Sequence, residues 1–293
     1  MIISLENIEK SYGASPVLQG VSARIEDTDR IGLIGRNGAG KTTLLNILYG
    51  DLEPDGGTIS RADKTFGFLR QNSGLSSGNT ILEEMRSVFA PLLEAEQELR
   101  LLEQRIAKTP AQDASYPELT ARYAHLQGLF EQRDGYLIDV KIRTILSGMG
   151  FADTDPETPV EVLSGGEKTR LAICKLLLEQ PELLILDEPT NHLDFRTLNW
   201  LEDYLLSYKG ALLVVSHDRY FLDKLCSSIW EVECHELSIY PGNYSRYVLL
   251  KEERVERRQK EWEIQQRQIE EMEEFIARNI VRASTTARAQ SRR

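Results

Sequence analysis

Ile3, Leu5 and Ile8 stand among polar neighbours, and residues 17–25 alternate again after a Gly/Pro break, a period-two pattern that predicts two strands. Residues 31–34 form a short apolar run ending at Gly35, and helix-forming residues begin at Lys41, so the expected order is strand, loop, helix. A Gly56-Gly57 turn leads into another strand pair, with KTFGFLRQ ending at Gln71. Two later runs, residues 183–186 and 211–215, are apolar at consecutive positions, as parallel strands buried on both faces are. Residues 229–240 predict a closing hairpin.

Between about residues 79 and 134 the texture changes to long Glu/Gln/Leu/Arg-rich segments, broken by TPAQDASYP around Pro110 and Pro117. Two antiparallel helices joined by a polar turn are expected there. The fold class is therefore α/β, a mainly parallel core sheet with an antiparallel β part, interrupted by a helical insertion. After Pro241-Gly242 the chain reads as one long charged helix in which Val248, Val255, Trp262, Ile269 and Ile276 recur every seven residues. Lys251, Arg258 and Gln265 at the companion positions make this a thin coiled-coil seam, suited to a partner helix outside the sequence; a solvated helix with an incidental apolar row is the alternative.

Composition narrows the setting. No apolar run approaches the roughly 18 residues that span a bilayer, and MIISLENIEKSYG lacks the basic start and apolar centre of a secretory signal. Cys174, Cys226 and Cys234 have no metal-ligand spacing and leave one thiol over in any pairing, which suits a reducing cytoplasm. The net charge of −11 argues against indiscriminate coating of nucleic acid. Its distribution is uneven: the last nineteen residues hold five arginines and no acid, leaving about −16 on the remainder. That tail is either a polyanion contact, with a salt slope of roughly −3.5 to −4.5 for five phosphates, or a solvated end.

The chemistry concentrates in a few motifs. GRNGAGKT over residues 35–42 fits GxxxxGK[ST]. Its glycines, Gly35, Gly38 and Gly40, let the backbone of Asn37, Ala39 and the following residues approach phosphate; Lys41 neutralises it, and Thr42 offers a hydroxyl to Mg²⁺, with Thr43 next in line. Asp187 and Glu188 end LLILDE at the carboxyl edge of a buried strand, the ligand side of open α/β sheets. There Asp187 suits the metal and Glu188 suits a general base, although acids also end strands simply because solvent begins there. His217 follows a strand at the same edge, and Gln71 ends another, where its amide oxygen can reach metal or water. A second glycine-led helix start, VLSGGEKTRLA, offers Ser164, Gly165 and Gly166 to an anion. One nucleotide needs one cradle, so the second calls for an explanation.

Tyr12, GRNGAGKT, Gln71, LSGGE, LLILDE, NHLD and His217, in that order, resemble the motif set of ATP-binding-cassette ATPases over roughly residues 1–240. The resemblance implies a P-loop NTPase cassette that binds ATP and Mg²⁺, with Tyr12 stacking on adenine, although a strand-edge core tyrosine would look the same in sequence. It implies that cassettes pack head to tail, so that Ser164, Gly165 and Gly166 close over the nucleotide of a second cassette, with Asp194 at the seam. Glu167 in place of glutamine, DEPTNHLD, the helical arm at about 84–134 and the terminal helix at 241–293 resemble the ABC-F branch, whose members lack membrane domains and many of which act on ribosomes. The expectation is an ATPase that clamps on ATP against a ribosomal site of rRNA and tRNA, the second cassette lying either later in a longer chain or on another copy. The nucleotide-binding subunit of a membrane transporter would share every nucleotide motif.

Overall fold

The computed structural model describes residues 1–69, 74–76, 78–110, 112–191 and 193–290, with side-chain surroundings through residue 274. Residues Met1–Tyr244 form one compact unit and Ser245–Arg293 a second. The strands of the first unit are β1 (Ile3–Tyr12), β2 (Ser15–Ile25), β3 (Arg30–Gly35), β4 (Gly56–Arg61), β5 (Phe66–Leu69), β6 (Leu183–Asp187), β7 (Ala211–Val215), β8 (Ser228–Glu233) and β9 (Glu236–Pro241). Its helices are α1 (Lys41–Tyr49), α2 (Ile81–Ser87), α3 (Ala90–Lys108), α4 (Tyr116–Gln132), α5 (Ile138–Gly148), α6 (Gly165–Glu179), α7 (Phe195–Leu206) and α8 (Arg219–Leu225).

A six-stranded sheet runs β5-β6-β7-β3-β8-β9, parallel from β5 to β8, with β9 antiparallel at the edge. The consecutive apolar residues of β7 are buried throughout, as are the first four of β6. A separate antiparallel sheet, β2-β1-β4, packs with β3 and α1 into one apolar core that includes Ile3, Leu18, Ile31, Leu44 and Trp230. Gly56 and Gly57 open β4 instead of forming a turn before it, because Gly56 already pairs with Glu9 of β1.

Among its described residues the insertion holds three helices, not two. α2 ends at Ser87, and α3 starts afresh with Pro91 in its first turn, where a residue without an N–H removes one orphan donor. Thus α3 and α4 make the expected antiparallel pair, joined by hydrogen bonds from Arg122 to Glu98 and from Tyr123 to Glu103. α2 instead buttresses α6: Glu84, fully buried, accepts from Lys175 Nζ at 2.5 Å and from Asn79 Nδ2 at 2.8 Å. Burial alone would push the Glu84 carboxyl up, but Lys175 and Asn79 outweigh it and hold the group below its usual range. Removing Lys175 leaves a carboxylate uncompensated in the interior, so Lys175→Ala is expected to cost about 3–5 kcal/mol of stability in urea unfolding. A loss below about 1 kcal/mol would show that solvent reaches Glu84 without the lysine.

The second unit is carried by α9 (Tyr244–Gln290), the long helix expected after Pro241-Gly242. Val248, Val255, Trp262 and Ile269 stand 37–56% exposed along it, so this unit does not bury its sevenfold row. The side chains from Ile276 through the arginines of the tail lie outside the described residues.

Candidate functional site

The order β7-β3-β8 places β3 between strands that follow it by more than a hundred residues, and the loop leaving β3 opens at the carboxyl edge of the parallel sheet. Ligands bind at such a crevice in open α/β sheets. Gly40 caps α1 at φ 108° with no side-chain cap, so the first-turn N–H groups keep no internal side-chain partner. A Cβ at Gly40 would come within 2.9 Å of Val17 Cγ1, whereas one at Gly38, φ 80°, would meet nothing within 4 Å. The first glycine therefore lets the loop pack on β2, and the second keeps its outer face open. Lys41 Nζ curls back to donate to Gly35 O at 2.8 Å and Arg36 O at 3.2 Å. Ala39 N closes the loop on Arg36 O at 3.1 Å. Asn37, Gly38 and Thr42 are exposed, and Thr43 is half-buried.

Two strands away on the same edge, β6 ends at Asp187, which pairs in register with Val215 of β7. Burial pushes the Asp187 carboxyl above its ordinary range, and the Lys41 ammonium pulls it partway back. Glu188 then turns into the left-handed region at φ 49°, with its N–H on Val215 O at 2.9 Å. A non-glycine residue held there stores strain, of the kind that collects at functional sites. The turn sends its carboxylate toward the end of β7: His217 N donates to Glu188 Oε2 at 3.4 Å, and His217 Nε2 lies 3.6 Å from Oε1. Oε1 is buried and accepts no hydrogen bond among the described residues. Burial raises the Glu188 carboxyl, and His217 and Lys41 oppose that rise while Asp187 adds to it. Lys41, Asp187, Glu188 and His217 are therefore one electrostatic cluster assembled from the start of α1 and the ends of β6 and β7.

Ser164 and Asp194 are engaged elsewhere within this chain. Ser164 caps α6, and its side-chain hydrogen bonds go to Glu167, three residues on. Asp194 caps α7, accepting from Thr197 N at 2.7 Å, and that contact first, then Arg170, holds its carboxyl low. Ser164 first, and then the same Arg170, lower Glu167; Arg170 also lies over the Phe151 ring at 5.6 Å from its centroid, so α6 and the start of α7 share one cation. Tyr12 ends β1 and is 56% exposed, consistent with a free ring face and not with a core tyrosine. Gln71 and His192 lie outside the described residues. Sequence reasoning took Glu167 only as a marker of the branch; the Ser-x-x-Glu spacing, a capping-box signature, would have shown its structural part.

Among the described residues there is no cluster of three or more His, Cys, Asp or Glu that could hold a metal by itself. No helix among them is long and apolar enough to cross a membrane.

A family model described as ABC transporter matches residues 18–191, and a second, for an extension of that family, matches 230–293. The chain is 47% identical to YdiF of Bacillus subtilis over all of its own length and 46% of that protein. It is 38% identical to ABC transporter F family member 2 of Arabidopsis thaliana, over 94% of the chain and 41% of the relative. It is 35% identical to the energy-dependent translational throttle protein EttA of Haemophilus influenzae, over 90% of the chain and 47% of the relative. The chain thus spans about half the length of these relatives. Among solved structures, the dimeric bacterial ABC transporter cassette MJ0796 matches at TM-score 0.57 and 20% identity, covering 82% of the chain and 98% of the cassette; this likeness concerns the fold.

Proposed function

Since this chain belongs to the ATP-binding-cassette family, with ABC-F members as its relatives, we propose that it is an ATPase cassette that closes head to tail on a second cassette around two ATP molecules. What supports this reading is that two glycine-led helix starts in one chain engage different partners. The loop at residues 35–42 sits in the Lys41–Asp187–Glu188–His217 cluster, while the Ser164-Gly165-Gly166 start turns to its own capping partner. A triphosphate held by the first needs the second from elsewhere.

In this reading the loop amides and Lys41 bind the β- and γ-phosphates, and Tyr12 stacks on adenine. The donor set fits Mg²⁺: a threonine hydroxyl and one carboxylate are too few for a freestanding site, but Mg²⁺ is commonly held by one or two carboxylates together with the phosphates of its nucleotide. Thr42 and Asp187, with Gln71, would hold it, and it would neutralise charge on the phosphates. Glu188 Oε1, buried and with no hydrogen-bond donor among the described residues, takes the proton of the attacking water; His217 fixes the other oxygen and orients the γ-phosphate. Asp194 lines the seam. Hydrolysis removes the γ-phosphate that both cassettes grip and lets them part.

A phosphate-rich partner suits the arginine tail, and a relative named as a translational throttle supports the ribosome as that partner. The cytoplasm is the corresponding location. Composite sites predict that the ATPase rate of this chain rises more steeply than linearly with protein concentration, approaching second order where the pair is sparse. A strictly linear plot from nanomolar to micromolar protein would mean that each cassette is complete alone.

A further inference from the structure

We propose that Glu167 tunes the grip on the opposite cassette's triphosphate by holding the Ser164 hydroxyl proton in reserve; the proposal rests on the head-to-tail reading above. Among the described residues, two helices begin with a reciprocal capping box. At α2, Thr80 Oγ1 accepts from Glu83 N at 3.2 Å and Glu83 Oε2 accepts from Thr80 N at 2.8 Å. At α6 the same pair of bonds is present, at 3.3 Å and 2.8 Å, and a third is added: Ser164 Oγ donates to Glu167 Oε2 at 2.6 Å. An ordinary capping box needs only the first two. The third commits the one hydroxyl proton of Ser164 to a carboxylate, in the short range of charge-assisted hydrogen bonds.

The consequence follows from proton counting. A phosphate oxygen can be bound by Ser164 only through that proton, so the hydroxyl must leave Glu167 before it can serve the ligand. The carboxylate meanwhile sets a negative charge within one helical turn of the position a polyanion would take. Those Ser164 contacts hold the Glu167 carboxyl below its usual range, so the charge is present at neutral pH. Arg170 faces Glu167 and is shared with Asp194, so it offsets the repulsion only in part. Gly165 leaves open space where a Cβ would stand, and its amide and that of Gly166 supply the attraction that competes with Glu167. Binding in trans is thereby set to moderate strength: the amides pull, the carboxylate resists, and closure remains reversible once the terminal phosphate is gone. Glutamine at this position accepts the Ser164 N–H just as well and keeps the cap, but it carries no charge and holds the hydroxyl proton less tightly.

The test compares Glu167→Gln with the parental residue in chains that also carry Glu188→Gln, with light scattering to measure the ATP concentration that gives half-maximal pairing. Pairing of the Glu167→Gln chain is expected at about fivefold lower ATP, the size of one like-charge contact in a partly solvated site. The gap should narrow as salt is raised from 50 to 500 mM, a scale on which the Debye length falls severalfold. A purely structural cap, which glutamine keeps, would instead leave the ATP half-point and its salt dependence as they were. An equal or higher half-point in Glu167→Gln overturns the proposal. Failure of the parental Glu188→Gln chain to pair at any ATP concentration overturns the head-to-tail reading instead, so the two failures are told apart.

Discussion

A Lys41→Ala chain is expected to lose ATP binding while keeping its fold. Lys41 Nζ is held by two carbonyls of its own loop, Gly35 O and Arg36 O, and by nothing beyond the loop among the described residues. Those bonds preorganise an ammonium for phosphate and add little to a core that rests on β3, α1 and β2. Losing the charged contact with phosphate costs about 2–5 kcal/mol of binding, a factor of roughly 30 to several thousand in affinity. The second effect is electrostatic: Lys41 is the cation that opposes the upward push of burial on Asp187 and also lowers Glu188. Without it the two carboxylates face a polyanion unscreened. Thermal melting with and without ATP reads both effects, because a ligand at 100 times its dissociation constant stabilises the native state by about 2.7 kcal/mol. The parental chain should melt higher with ATP, and at the same ATP concentration Lys41→Ala should keep at most about a third of that shift. An undiminished ATP shift in Lys41→Ala would remove the lysine from the phosphate site.

The α/β core was legible because its signals are local. Consecutive apolar residues at 183–186 and 211–215 leave no polar face to expose, so two buried parallel strands are the only economical outcome, and the sheet has them as β6 and β7. The loop at residues 35–42 was legible because glycine spacing, a lysine and a hydroxyl are chemical statements in themselves. The separation of α2 from α3 was legible at Pro91, which opens α3 as a helix-start signal, but the place of α2 was not, because Glu84 meets Lys175 of α6 ninety-one positions away. Nor could sequence give the left-handed turn at Glu188: no local residue demands it, and it is imposed by the bond of its N–H to Val215 on the neighbouring strand. That turn, more than the identity of the residue, aims the carboxylate at His217. The exposure of Tyr12 likewise depends on the hairpin Tyr12–Ser15 ending beyond the core, which alternation along β1 does not fix.

Glu188→Gln should separate binding from hydrolysis. The substitution keeps the size of the side chain and keeps an oxygen to accept from His217 N, so the left-handed turn and the position of the head group are preserved. It removes the only function that needs a free electron pair on a basic oxygen at Oε1, and general-base catalysis of this kind contributes about 10²- to 10⁴-fold in rate. It also removes a negative charge beside Asp187, so ATP binding should hold or tighten. With the phosphate bond intact, both grips on each triphosphate persist, and the pair of cassettes accumulates instead of cycling. In single-turnover assays the variant is expected to hold ATP for at least about a hundred times longer than the parental chain, and by light scattering to run at twice the monomer mass in ATP but not in ADP. Hydrolysis at the parental rate would transfer the base to another group, with His217, 3.6 Å away and exposed, the first to test. Slow hydrolysis without pairing would keep the base and reject the clamp, since one carboxylate governs the chemistry whereas a second cassette governs the mass.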